Sequence, residues 1–219
     1  MALPLLNLIA VVMEFIGSFL SFLIGYYALK AYQTSGSRRL FTLYWGFIIL
    51  GVGTFLRVFT ATYVSLISRV FEAPRQLIGL INLAALIYSI TQLVAYSLIV
   101  ATYVFQAKPM NKKTTVAGTA SAIAAVVFPI YRLFFIPWLE LVAITMLAFV
   151  VVSTFMNWQV RKSSESAFVL SGFGLILLSH VFFLLLPVDE MLLLLGQMTQ
   201  LAGFICLSAM LAKVSRANG

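Results

Sequence analysis

SITQLVAYSL (Ser89–Leu98) and QMTQLAGFIC (Gln197–Cys206) carry the same tripeptide, Thr-Gln-Leu, inside long apolar runs. An amide is costly in such surroundings unless it finds a hydrogen-bond partner. Its return in the same setting suggests that the two runs are copies of one unit. At their spacing of 108 residues, Leu86 also meets Leu194, Tyr96 meets Phe204 and Ala101 meets Ala209.

The rest of the chain has the same character. Of its 219 residues, 63% are hydrophobic and 9% are charged, whereas a soluble domain is about half apolar and about a quarter charged. Seven apolar segments emerge, at about 4–31, 40–61, 77–106, 114–135, 138–159, 166–186 and 190–212, each long enough to cross a bilayer as a helix. The fold class expected is therefore an all-α integral membrane bundle of seven transmembrane helices. Five of the six prolines fall at segment boundaries, and Pro129 lies within segment four, where it would kink a helix. The first segment carries Glu14 and lacks a basic n-region, so it reads as a retained span rather than a cleaved signal peptide. A β-barrel is excluded, because its strands are short and alternate in polarity.

Charge sets the expected orientation. The net charge is +8, and ten of the fourteen Lys and Arg residues fall in the loops on one side (Lys30, Arg38, Arg39, Lys108, Lys112, Lys113, Arg161, Lys162, Lys213 and Arg216). The positive-inside rule then places the N-terminus outside and the C-terminus in the cytoplasm of a multi-pass cell-membrane protein. These basic span ends suit anionic lipid head groups, so membrane lipids are expected partners and nucleic acid is not. The single cysteine, Cys206, permits no internal disulfide.

A gapless shift of 126 residues pairs Glu14 with Glu140, Gln33 with Gln159, Ser37 with Ser163, Gly46-Phe47 with Gly172-Phe173, and Tyr32 with Trp158. The expected layout is a three-helix repeat at 1–107, a linker helix at 108–136 and a second three-helix repeat at 137–219. The linker inverts the chain, so both triplets run the same way, as a parallel repeat. Its stretch TTVAGTASAIAAVV (Thr114–Val127) is rich in small residues that allow close helix approach. In layout this is similar to the SWEET sugar transporters, the PQ-loop proteins and the KDEL receptor. The Pro-Gln motif of PQ-loop proteins is absent, and no transport residue carries over. Microbial rhodopsins also have seven spans, but segment seven has no interior lysine for a retinal Schiff base.

Ionisable residues inside a membrane are candidates for function. Glu14 is 16 residues from Lys30, Gln92 is 16 from Lys108, His180 is 15 from Glu165, Gln200 is 13 from Lys213 and Thr54 is 15 from Arg39. At 1.5 Å per residue each lies about 20–24 Å above the cytoplasmic edge, in one layer of the outer half. Arg57 is one turn beyond Thr54, and Glu140 begins segment five. An outward-facing polar cavity is expected, with Arg57 placed to pair with Glu14 and Glu140 with His180. The candidate ligand-binding residues are Glu14, Arg57, Thr91, Gln92, Glu140, His180, Thr199 and Gln200, with Gln92 and Gln200 facing each other. Each also has a structural reading. Glu14 and Arg57 fit snorkelling side chains, and Glu140 fits a helix N-terminal anion. His180 fits a hydrogen-bonded packing residue, and the glutamines fit interhelical glue.

One histidine and one cysteine assemble no usual metal or haem site. No phosphate loop or nucleophile constellation stands out, so no cofactor, metal or enzymatic activity is expected. The segment ATYVSLISRVFEAPRQ (Ala61–Gln76) reads either as a short amphipathic surface helix over the cavity or as an extension of segment two. Three functions fit: a small-solute carrier, with or without coupling to protons; a non-catalytic subunit of a larger membrane complex, or a homo-oligomer; and a ligand-sensing receptor.

Overall fold

A computed structural model of the chain describes residues 2–70, 75–104, 136–189 and 191–217. All secondary structure there is helical: α1 (Ala2–Ser35), α2 (Arg38–Val70), α3 (Arg75–Val104), α4 (Ile136–Arg161), α5 (Ser164–Leu184) and α6 (Met191–Ala217). Each of the six is long and apolar enough to cross a membrane. A helix is the form such sequences favour in lipid, because it satisfies its backbone polar groups internally. Segment four, Pro129 and lysines 108, 112 and 113 lie outside the described residues, as do Glu190 and positions 71–74. Segment two runs on to Val70. Ala61–Phe71 contains no Gly or Pro to stop a helix, so the extension reading holds for Ala61–Val70.

The helices form a closed ring in chain order, with α6 returning to pack on α1. Side-chain contacts fix their directions. Along α1 and α2, Glu14 meets Arg57 and Gly25 faces Ile48, so this pair is antiparallel. Along α1 and α6, Glu14 meets Gln197 and Gly17 faces Leu201 and Phe204, so this pair is parallel. Gly46 faces Ile99 and Gly53 faces Thr91, which sets α3 against α2. Tyr96 meets His180 and Tyr103 meets Phe173, which sets α5 against α3. Helix α4 returns into α5 through a tight turn. Hence α1, α3, α4 and α6 run one way, and α2 and α5 the other.

The two tight turns are built alike. In one, Gly36 has φ +66° and its N–H donates to Tyr32 O at 2.8 Å. In the other, Lys162 has φ +49° and its N–H donates to Trp158 O at 2.7 Å. Both are helix ends closed by a left-handed residue. For Lys162 that conformation costs about 1–2 kcal/mol, which glycine would avoid. A serine follows in each, and Ser163 caps α5 by accepting from Ser166 N–H.

The ring's centre is filled by Ile24, Phe47, Leu50, Tyr96, Ile99, Leu147, Val150, Phe173 and Ile176. Its outside is apolar too, with Phe19, Phe59, Trp138 and Val152 exposed. A soluble bundle would place polar residues there. Many hydroxyls inside the helices bond to their own backbone, as Thr54 does to Leu50 O and Ser179 to Ile176 O, whereas Ser21 and Ser208 Oγ find no partner among the described residues.

Candidate functional site

Each of the six helices sends a polar side chain into one interior layer. From α1, the Glu14 carboxylate accepts from Arg57 Nη2 of α2 at 2.7 Å and from Gln197 Nε2 of α6 at 2.7 Å. The Arg57 guanidinium also lies over the Tyr88 ring of α3, 3.9 Å from its centre, a cation–π contact. Arg57 Nε has no hydrogen-bond partner among the described residues.

A second cluster centres on His180 of α5, which is fully buried. Its Nδ1 lies 2.6 Å from Glu140 Oε2 of α4, and its Nε2 lies 2.6 Å from Tyr96 Oη of α3. An ionised carboxylate only accepts hydrogen bonds. With Glu140 ionised, Nδ1 carries a hydrogen, and in a neutral ring Nε2 accepts from the Tyr96 hydroxyl. Both in-plane positions are thus occupied. The Gln92 amide nitrogen lies 3.4 and 3.3 Å from the two ring nitrogens and packs against the ring. The rings of Tyr96 and Phe183 meet the imidazole edge-on. The two clusters adjoin along α3, where Tyr88 contacts Arg57 and, one and two turns on, Gln92 and Tyr96 contact His180.

Two carboxylates inside an apolar bundle are each met by a cation or an imidazole. Pairing offsets the cost of burying charge, which an isolated carboxylate there would bear in full. The arrangement can neutralise charge and can pass a proton between hydrogen-bonded groups.

The pairings expected from the sequence, Glu14 with Arg57 and Glu140 with His180, are both in contact, at 2.7 and 2.6 Å. Gln92 belongs to the second cluster. Thr91 and Thr199 bond to backbone carbonyls of their own helices, Tyr88 O and Leu195 O. Gln200 is half-buried and has no side-chain partner among the described residues; Gln92 is turned to His180 and not toward it. The amide that α6 contributes is Gln197, one turn earlier, which the repeated tripeptide does not mark. Tyr88 and Tyr96 were also not anticipated as members of the layer. Their signal is position, since Tyr88, Gln92 and Tyr96 follow one another at four-residue spacing on one face of α3.

The side chains of the layer touch one another, and Arg57, Glu140 and Glu14 keep 30%, 16% and 15% of their side-chain surface exposed. A hollow of about 280 Å³ lies on the outer face of α1 and α2, among Val12, Phe15, Phe55 and Phe59. Another of about 200 Å³ lies by Arg39 and Tyr103 at the opposite end. Neither includes a residue of the layer. No cluster of potential metal ligands occurs among the described residues. Comparison with protein-family models, with curated proteins and with solved structures finds no match to this chain.

Proposed function

We propose that this is a seven-span protein of the cell membrane, a parallel repeat of three helices about a linker, that carries a small solute coupled to proton movement. The observation that supports a carrier is the interior layer itself. Six helices spend a polar side chain on it, and a fully buried histidine lies between a carboxylate and a phenol. Buried ionisable chains of this kind are used for proton relay within membranes.

The repeat is supported by register. Helix α1 ends at Ser35 and α4 at Arg161, and α2 begins at Arg38 and α5 at Ser164, which is the same shift of 126 residues at both boundaries. The left-handed residues Gly36 and Lys162 obey it too. So do the buried pairs Ile24 with Val150, Phe47 with Phe173 and Leu50 with Ile176. At the shift of 108, Gly46 facing Ala95 and Ile99 matches Gly172 facing Gly203 and Leu207. A seventh span in 114–135 is supported by α3 and α4 running the same way, so that α3 ends and α4 begins at opposite ends of the ring. The basic loops favour an outside N-terminus.

Reconstituted liposomes test the carrier reading. A pH gradient is expected to drive uptake from a panel of small polar solutes, and Glu14→Gln to change its pH dependence. Uptake of every solute at the level of protein-free liposomes, whatever the gradient, counts against it. A second reading, a non-catalytic subunit of a larger membrane complex, is favoured by the aromatic outer face of α1 and α2. There Phe15 packs on Phe19 and Phe55, and Phe55 on Phe59. Purification from native membrane as a lone monomer speaks against that reading.

A further inference from the structure

The two clusters have the same composition by helix. Each has a carboxylate from the first helix of a triplet, Glu14 or Glu140, and a cationic group from the second, Arg57 or His180. Each also has an amide from a third helix, and in both cases it comes from the opposite triplet. Gln197 of α6 serves Glu14, and Gln92 of α3 serves His180.

The register supports this equivalence. Under the shift of 126 residues the carboxylates coincide, and His180 falls on Thr54, one turn before Arg57. Under the shift of 108, Gln92 falls on Gln200, one turn after Gln197. Helices α2 and α6 run in opposite directions, so a later residue on α2 and an earlier one on α6 lie toward the same end. The Arg57 cluster is therefore the His180 cluster moved one turn along the ring axis on both partner helices.

The difference between the halves is the cationic group. Arginine keeps its charge at any pH a protein meets, whereas histidine exchanges its proton near neutrality. We propose that the two clusters are duplicated half-sites that have divided the work: Glu140–His180, with Tyr96 and Gln92, binds and releases one proton, and Glu14–Arg57–Gln197 is its fixed, non-exchanging counterpart. This rests on the proton-coupled reading above but names which half takes the proton.

The step balances in itself. A proton from water reaches Nε2 of the neutral ring, the Tyr96 oxygen turns from donor to acceptor, and the imidazolium keeps its Nδ1–H on Glu140. Release is the reverse. Among the described residues, the titratable groups in contact with the ring are Glu140 from α4 and Tyr96 from α3. Near the ring α6 meets α5 through Gly196 and Gly203, and its Lys213 pairs with Glu165, 15 residues from His180 along α5.

The chain has one histidine, so nitrogen NMR of the full-length, histidine-labelled protein in lipid bilayers reads this site alone and needs no transported solute. Between pH 5 and pH 9, about the range in which histidine changes charge, one imidazole is expected to pass from the cation to a neutral ring with hydrogen on Nδ1. Glu140→Gln is expected to weaken its proton binding by about tenfold, the effect of losing an adjacent opposite charge. Gln197→Leu, in the other half, is expected to leave it within about twofold. A ring in one protonation state across the range, or a neutral ring with hydrogen on Nε2, overturns the proposal in the unaltered protein. A Gln197→Leu effect as large as that of Glu140→Gln overturns the division of work. Failure of uptake in liposomes with a normal titration would sink the carrier reading and leave this assignment standing.

Discussion

At the scale of single residues, the layer separates amides that hold from amides that do not. Gln197 donates to Glu14 at 2.7 Å, while Gln200 has no side-chain partner among the described residues. Interhelical hydrogen bonds in membranes are worth about 0.6 kcal/mol on average and up to about 1.7. Gln197→Leu is expected to destabilise the folded protein by about 1 kcal/mol, because it also removes a donor from a buried carboxylate. Gln200→Leu is expected to change stability by less than about 0.5 kcal/mol, as a change away from such a contact does. Unfolding by denaturing detergent checks both, and equal losses would contradict the assignment. The sequence exposed the charged members of the layer plainly, since an acid, an arginine or a histidine in an apolar run has few uses. It did not separate Gln197 from Gln200. They are three residues apart and share a helix face, so only the position of Glu14 on the neighbouring helix tells them apart.

Among the helices, close packing is concentrated at a few glycines. A side-chain carbon added at Gly203 would come within 2.8 Å of Gly172 O on α5 and within 3.2 Å of Ile176 N. Backbone cannot swing aside as a side chain can. Gly203→Val is therefore expected to part α5 from α6 and lower stability by about 1–3 kcal/mol, the usual cost of overpacking. Gly174→Ala serves as the control, since a carbon there meets nothing within 4 Å. A thermal melt in mild detergent that treats both variants alike would refute the packing argument. The helices themselves were legible, because length and apolarity suffice to mark a span and prolines mark its ends. The end of α2 was not, because helical spacing simply continues past residue 61 with no breaker before Pro74.

For the molecule as a whole, the testable statement is which ends of the helices share a side. With Cys206→Ser as background, Ser37→Cys lies in the turn between α1 and α2, and Val188→Cys lies between α5 and α6. An impermeant thiol reagent applied to intact cells is expected to label Val188→Cys and to reach Ser37→Cys only after the membrane is opened. Labelling of both, or the reverse order, would overturn the orientation. The expected orientation rests on charge in the loops, which depends on counting and not on packing. Ring closure and the neighbours of each helix were not readable. A helix apolar all round carries no stripe to say which way it faces.

The exchange of amides between α1–α2–α3 and α4–α5–α6 has a mechanical consequence. Each carboxylate and its cationic partner belong to the same trio of helices. The contacts from Gln197 to Glu14, from Gln92 to His180 and from Tyr96 to His180 bridge the two trios. Were the trios to rock apart as rigid blocks, the carboxylate pairs would travel intact, and the two amide contacts and the Tyr96–His180 hydrogen bond would have to release at this depth. The bundle is latched at its seams by amides and a phenol, and its carboxylate pairs ride inside the moving parts.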